Sequence, residues 1–455
     1  MTQRINPQIF RKYDVRGIVG RDLTDDVVEQ LGKGYATYVL RHGGSKVSLG
    51  YDARLSSPGF AECLARGMLS TGLDVVGIGL VPTPVLYYSL FSLEVDGGVV
   101  ITGSHNPSEY NGFKLGVGRA TIYDQEIQVV RRMIESGDFE VGQGELTEQS
   151  VIPDYIRTVK ESIGTFDRRL KVVVDAGNGT GGMFGPQLLR DLGAEVVELY
   201  CDVDGRFPNH HPDPTVPEFL TDLIRRVKEE RADLGIAWDG DADRIGVIDD
   251  QGNIIWGDQL MILFSREVLA AQPGASIIFE VKSSEALAHE IEKAGGVPVM
   301  WKTGHSLIKE KMKELHSPLA GEMSGHMFFA DEYFGYDDAL YASCRLLRLV
   351  AREGKKVSEL LADVPKYYST PETRVACSEE RKFHVVEEVA RYFRQQYETI
   401  DVDGVRILFD GGWGLVRASN TQAVLVLRFE ASSPELLEQI QNQVMDKLHE
   451  IMSRQ

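Results

Sequence analysis

The chain has 455 residues, 43% hydrophobic and 26% charged, with 49 Lys+Arg against 68 Asp+Glu and a net charge of −19. That length sets about three or four domains and a core large enough to need no disulfide staples. The acidic balance excludes a broad basic face for nucleic-acid phosphates or anionic lipid, so a small anionic substrate must be met by a local cluster of cations.

Residues 1–14 (MTQRINPQIFRKYD) lack the apolar run of a signal peptide. No apolar stretch reaches the ~18 residues of a membrane span. Cys63, Cys201, Cys344 and Cys377 form no CxxC pair, so reduced thiols and a cytoplasmic location are expected, with no membrane or nucleic-acid partner.

Residues 46–54 (KVSLGYDAR) read as a strand, 60–71 as a helix and 74–79, after Gly72, as a second strand. The same order returns at 171–179, 186–192 and, after Gly193, 195–200. It returns again at 275–284, 285–294 and, after Gly295, 297–302. Each unit has a β-branched run, then i, i+3, i+4 apolar spacing, then a glycine suited to a helix C-terminus. These are βαβ units, so the expected fold is α/β, with three related domains of mixed, largely parallel sheets flanked by helices.

Each unit is followed by another strand that runs into a polar loop: 97–107 (GGVVITGSHNP), 234–244 (LGIAWDGDADR) and 318–326 (PLAGEMSGH). Ligands of open α/β sheets gather beyond the carboxyl ends of strands. From 367 onward the pattern changes to a helix at 383–397, strands at 404–410, 412–419 and 423–431, and a last helix at 434–451, which reads as a smaller α+β domain. The expected domains are 1–150, 151–254, 255–366 and 367–455.

Ser104 sits beside glycine in TGSHNP. It reads as a turn residue, as a hydrolase nucleophile, or as a phosphoryl carrier. The hydrolase is disfavoured because adjacent Ser104 and His105 diverge in a strand-like loop and no GxSxG elbow exists. In WDGDADR, Asp239, Asp241 and Asp243 alternate after a buried-strand pattern. An extended loop lets such carboxylates converge on one hard cation, and oxygen-only ligands favour Mg²⁺ or Ca²⁺ over zinc. An EF-hand is a poor match, because Arg244 and Asp250 stand where it needs Gly and Glu.

In GEMSGH, Glu322 and Ser324 point the same way and suit two vicinal hydroxyls, with His326 as a further contact. Arg417, Ser419, Asn420 and Thr421 combine a guanidinium with neutral donors and suit a phosphate dianion. Taken singly, each of these two motifs reads first as a turn. Arg16, Lys114, Lys282 and His305 flank the loops. Lys114 and His305 are the candidates for acid–base work, and Arg244 for a phosphoryl contact.

In order, KYDVRG (12–17), TGSHNP (102–107), DGDADR (239–244), GEMSGH (321–326) and RASNT (417–421) resemble the α-D-phosphohexomutase superfamily, in its bacterial bifunctional phosphomannomutase/phosphoglucomutase branch. The resemblance spans nearly the whole chain. It implies four domains around a central cleft and an isomerase of carbohydrate metabolism and nucleotide-sugar biosynthesis. That enzyme interconverts hexose 1- and 6-phosphates of mannose or glucose through a phosphoserine and a hexose 1,6-bisphosphate, with glucose 1,6-bisphosphate as activator.

Residue by residue, the resemblance implies that Ser104 is phosphorylated and that Asp239, Asp241, Asp243 and a phosphoserine oxygen hold Mg²⁺. Arg244 is adjacent. Glu322 and Ser324 bind sugar hydroxyls, and Arg417, Ser419, Asn420 and Thr421 grip the non-reacting phosphate. Tyr13, Arg16, Lys114, Lys282, His305 and His326 contact substrate, with Lys114 and His305 transferring protons. The partners implied are small hexose phosphates, and a monomer is expected, with a dimer as alternative.

One departure is SNTQA where many relatives read SNTEP. Met323 speaks against phosphoglucosamine mutases, whose loop tends to GEQSGH, and that enzyme is the runner-up. A non-catalytic sugar-phosphate binder would have lost Ser104 or the aspartates. A Mg²⁺ phosphatase would release free phosphate.

Overall fold

The computed structural model describes residues 5–420 and 422–454. It divides into two compact units, Met1–Leu260 with Ser324–Leu361, and Met261–Met323 with Ala362–Gln455.

In the first unit, one sheet runs in the order Val15–Ile18, Tyr110–Val117, Gly97–Ile101, Lys46–Tyr51, Asp74–Leu80, Leu146–Glu148. The strands from Gly97–Ile101 onward pair in parallel, and the two before them antiparallel. A second sheet runs Ile254–Ile255, Ile245–Ile248, Leu234–Trp238, Lys171–Asp175, Glu195–Leu199, parallel over its last three strands. In the second unit, Ser276–Glu280 lies in parallel between Val297–Trp301 and Leu319–Gly321. The C-terminal sheet there is antiparallel throughout.

The three expected βαβ units therefore share one topology. The first strand is central, its helix-linked partner lies on one side, and the strand leading to the polar loop lies on the other. The connecting helices are Ser57–Leu69, Gly185–Asp191 and Glu285–Lys293. The first begins three residues before its apolar periodicity, with Pro58 presetting helical φ in its first turn. Gly72, Gly193 and Gly295, which follow these helices, have φ of +95°, +110° and +81°, a region costly for any residue with a Cβ.

Burial drives this assembly. Val47, Leu49, Val75, Val99 and Ile101 from the first sheet pack against Leu31, Tyr35, Leu64 and Met68 from its helices. Each such side chain contributes about 1.5–3 kcal/mol when fully buried. Among the described residues no helix is long and apolar enough to cross a membrane. The four cysteines are buried and free.

Candidate active site

The strand Gly97–Ile101 delivers the loop that carries Ser104. Ser104 is buried and has φ +48°, a left-handed backbone that costs about 1–2 kcal/mol for a non-glycine residue. Arg54 holds it there. This fully buried guanidinium donates to the carbonyls of Ser104 (2.8 Å), Asn106 (2.6 Å), Pro107 (2.7 Å) and Tyr110 (2.9 Å). It also pairs with Asp52 at 3.3 Å, whose carboxylate accepts from the Gly103 amide at 3.2 Å. Neither Asp52 nor Arg54 stood out in the sequence. The available signal was two charges in YDAR, directly after an apolar strand at the ligand-facing end of the sheet.

The positive φ also corrects one expectation. Ser104 and His105 do not diverge: Ser104 Oγ lies 3.1 Å from His105 Nδ1, because the loop is curled rather than extended. Burial, reinforced by Arg244 and Arg16, pushes the His105 imidazole well below its ordinary pKa, so it is neutral.

Ser104 Oγ also donates to Asp239 Oδ2 at 2.7 Å, across 135 residues of sequence. Asp239 Oδ1 accepts the amides of Asp243 (3.0 Å) and Arg244 (3.1 Å), which curls the aspartate loop around it. Asp239, Asp241 and Asp243 are fully buried, and one ligand oxygen from each lies within 4.8 Å of the others. Burial, then repulsion from Asp241 and Asp243, raises the Asp239 pKa well above the carboxylate range. Burial also works against Asp241, but Lys114 and the Thr83 hydroxyl (2.6 Å) reverse that and hold it below its ordinary value.

Lys114 Nζ lies 2.8 Å from Asp241 Oδ2 and donates to Asp243 as well. Burial would strip its proton, but the two carboxylates outweigh burial and raise its pKa well above normal. Asp241 Oδ1 and Asp243 Oδ1 are buried without a hydrogen-bond donor. Three buried carboxylates with one ammonium among them, and oxygen atoms left over, fit a divalent cation with oxygen ligands. Thr83 escaped the sequence reading because it lies 158 residues from the aspartate it bonds.

Arg244 Nε donates to His326 Nε2 at 2.9 Å, and His326 Nδ1 lies 3.0 Å from Asp337. The structure thus places His326 beside Arg244 and the aspartate loop. Asp243, His326 and Asp337 also cluster closely enough to hold an ion, but both ring nitrogens are already engaged. Arg16 donates to Asn106 Oδ1 (2.9 Å) and to Asp14 (2.6 Å), which ties it to the serine loop. Tyr13 lies in the bend before the strand Val15–Ile18, with Lys12 Nζ 5.8 Å from its ring centre.

The aspartate loop and the serine loop touch at Gly240. A Cβ there would lie 2.6 Å from the Ser104 carbonyl oxygen and 3.2 Å from Pro212. Gly240→Ala is expected to destabilise the protein by about 1–3 kcal/mol and, by displacing Ser104, to lower kcat by at least about tenfold. A thermal melt and steady-state kinetics check both. An unchanged kcat would mean that the serine position is not critical.

The second unit holds another cluster. Glu322 Oε1 accepts the Gly304 amide at 2.6 Å, just before the helix His305–Leu315 that His305 opens. Buried Glu280 accepts from Thr303 Oγ1 (2.7 Å) and from the Met323 amide (2.9 Å). Lys282 lies between Glu280 (3.5 Å) and Glu372 (3.2 Å). Burial favours neutral Glu372, but Lys282 and Arg374 overcome this and bring it down to about 2. Arg417 pairs with Asp403 at 2.9 Å, and Asp403 also accepts the Thr303 amide at 3.1 Å. Arg417, Lys282, Glu322 and the loop before His305 are thus linked through Glu280 and Asp403, both missed in the sequence. Ser324 lies in the turn within its own motif, Ser419 and Asn420 follow the strand Gly412–Ala418, and Thr421 lies outside the described residues.

Four family profiles match this chain in order. They are those of phosphoglucomutase/phosphomannomutase alpha/beta/alpha domain I at residues 7–141, domain II at 153–252 and domain III at 256–368, and of the C-terminal domain at 372–447. The phosphomannomutase/phosphoglucomutase of Pseudomonas aeruginosa is 46% identical over 446 residues, 98% of this chain and 96% of that protein. The phosphoglucomutase of Neisseria meningitidis serogroup A is 45% identical over 440 residues, 96% of this chain and 95% of that one. The crystal structure of a phosphoglucomutase/phosphomannomutase family protein from Burkholderia thailandensis matches with a TM-score of 0.94 at 42% identity, over 99% of both chains.

Proposed function

Because the chain belongs to the phosphoglucomutase/phosphomannomutase family and is a hexose-phosphate mutase, we propose that Ser104 carries the phosphoryl group it exchanges with glucose and mannose phosphates. The observation that carries this reading is the 2.7 Å approach of Ser104 Oγ to Asp239, inside a buried site of three aspartates and Lys114. Mg²⁺ held by Asp239, Asp241 and Asp243 would supply positive charge to the phosphoryl oxygens.

The free hydroxyl of a bound hexose monophosphate attacks the phosphorus, the Ser104 Oγ–P bond breaks, and the hydroxyl proton leaves to a base. A hexose 1,6-bisphosphate results, and the reverse step from its other end restores the phosphoserine. Lys114, which donates to Asp241 and Asp243, serves as a charge partner, and Lys114 and His305 are the groups that would deliver a proton to Ser104 Oγ and take up the hydroxyl proton. Arg244, steered by His326, and Arg16 contact the transferring group. Glu322 and Ser324 take the sugar hydroxyls with Lys282 and Tyr13 as further contacts, and Arg417, Ser419, Asn420 and Thr421 take the non-reacting phosphate.

Arg417→Ala is expected to raise KM for hexose 1-phosphate about tenfold to a hundredfold, the loss of a charge-assisted contact, with kcat nearly unchanged. Normal KM in that variant would remove Arg417 from the phosphate site.

The deciding experiment compares turnover of glucose, mannose and glucosamine 1-phosphates with Mg²⁺ and glucose 1,6-bisphosphate, and measures inorganic phosphate alongside. Isomerisation of the first two without phosphate release is expected. Preference for glucosamine 1-phosphate would favour the runner-up specificity, and stoichiometric phosphate release would overturn the mutase mechanism.

A further inference from the structure

Residues 201–216 form no helix or strand, yet this stretch packs on both loops that meet at Ser104. A Cβ at Gly205 would lie 2.1 Å from the Ala53 carbonyl oxygen and 2.8 Å from Arg54 Cα, so backbone rests directly on backbone. The buried Phe207 ring faces Arg54, whose Cζ lies 5.2 Å from its centre. Further along, Pro212 lies 3.2 Å from where a Gly240 Cβ would stand, beside the Ser104 carbonyl.

One histidine fastens this stretch. His210 Nδ1 lies 2.8 Å from the His211 carbonyl oxygen, and Nε2 lies 3.1 and 3.3 Å from the two oxygens of buried Asp175. Asp175 ends the strand Lys171–Asp175 and also accepts the Gly177 amide at 2.8 Å. Both ring nitrogens of His210 thus face acceptors. A neutral imidazole has one N–H and serves only one of them, so this arrangement requires the imidazolium.

The surroundings of the ring favour that charge. It stacks on Phe219, with 6.1 Å between centres, and meets the Tyr200 ring at 5.5 Å. Asp222 of the helix Thr221–Glu230 accepts from the Tyr200 hydroxyl at 2.8 Å and pairs with Arg225 at 2.9 Å. Glu218 and His211 line the same hollow. Three carboxylates therefore surround His210, against the one cation Arg225. Burial lowers the His210 pKa, but Asp175 outweighs burial and leaves it above the ordinary value.

We propose that His210 is a positioning residue: tied to Asp175 as an imidazolium, it holds residues 201–216 against Arg54 and Gly240 and so fixes where Ser104 stands. It touches no reacting atom. The inference rests on the reading of Ser104 as the phosphoryl carrier. The ion pair is complete below about pH 6.5, the ordinary histidine value, and is lost as pH rises through the higher folded value.

The test follows kcat with glucose 1-phosphate for wild type and His210→Gln, with Mg²⁺ and glucose 1,6-bisphosphate present. The glutamine keeps a donor but carries no charge. Dividing one pH profile by the other cancels the titrations that both proteins share. Wild type is expected to exceed the variant about tenfold at about pH 6 and less than about twofold at about pH 9, with KM alike. A merely structural role gives a ratio that does not fall with pH, and such a ratio overturns the proposal. Ser104→Ala, measured in parallel, keeps the two readings apart, because near-normal turnover there refutes the phosphoryl carrier instead. NMR on the magnesium-loaded wild-type protein covers the case of a variant that does not fold. The His210 Cε1–H signal should titrate above about pH 6.5, and the Ser104 amide should shift with the same apparent pKa. A His210 that titrates at or below that value, or a Ser104 amide unmoved through its titration, overturns the proposal.

Discussion

Ser104→Ala should lose mutase turnover by about 10⁴-fold or more, since a group that carries the reacting phosphoryl has no substitute in its own site. The substitution removes one hydroxyl, which donates to Asp239 and contacts His105. The loop itself is held by Arg54 through four carbonyls and by the Ser104 amide on Thr102 Oγ1 at 2.8 Å, none of which needs the hydroxyl. Stability should therefore change by only about 1–3 kcal/mol, the cost of one donor lost to a buried carboxylate. Mg²⁺ binding, followed by calorimetry, should persist because all three aspartates stay. Near-normal turnover in this variant would refute the phosphoserine assignment, and loss of the fold would show as a missing cooperative melt.

Asp241→Asn is expected to cost about 10³-fold in kcat and to raise the Mg²⁺ dissociation constant by at least about a hundredfold. Asp241 contributes one of three clustered ligand oxygens and, through Oδ2, the contacts to Lys114 and Thr83. An amide keeps the shape but loses the charge, and with its oxygen held by Lys114 and Thr83 its nitrogen replaces the unpartnered Oδ1, where it cannot ligate a cation. Protection by metal gives a readout free of activity. At about a hundred times the dissociation constant, Mg²⁺ should stabilise the wild-type protein by about 2.7 kcal/mol and the variant hardly at all. Equal protection of both proteins, or unchanged magnesium dependence of the rate, would show that Asp241 is not a ligand.

Much of the site was legible before any fold was known, because its chemistry is concentrated in short loops. Alternating carboxylates in 239–243 report a cation site by spacing alone, and the structure brings them within 4.8 Å of one another. The residues that hold these loops in shape were not legible. Arg54, Thr83, Glu280, Asp337 and Asp403 look like ordinary polar residues in the sequence. Their importance comes from partners up to 158 positions away and, for all but the half-buried Asp403, from burial. The Ser104–His105 geometry was misjudged for a related reason. A positive φ at a non-glycine residue is imposed by tertiary contacts, and an extended loop was the wrong starting geometry.

The sequence by itself determined the element types, the threefold βαβ repeat, the distinct C-terminal domain and the polar loops at equivalent strand ends. Periodicity, turn chemistry and strand–helix order are local properties that the chain carries wherever it goes. Only the tertiary structure decided which of those loops meet. It set Ser104 against Asp239, gave Lys114 to Asp241 and Asp243, and turned His326 toward Arg244. Such pairings depend on how sheets and helices pack to bury their apolar faces. Packing sets distances between side chains that lie far apart in sequence, and no local pattern records those distances.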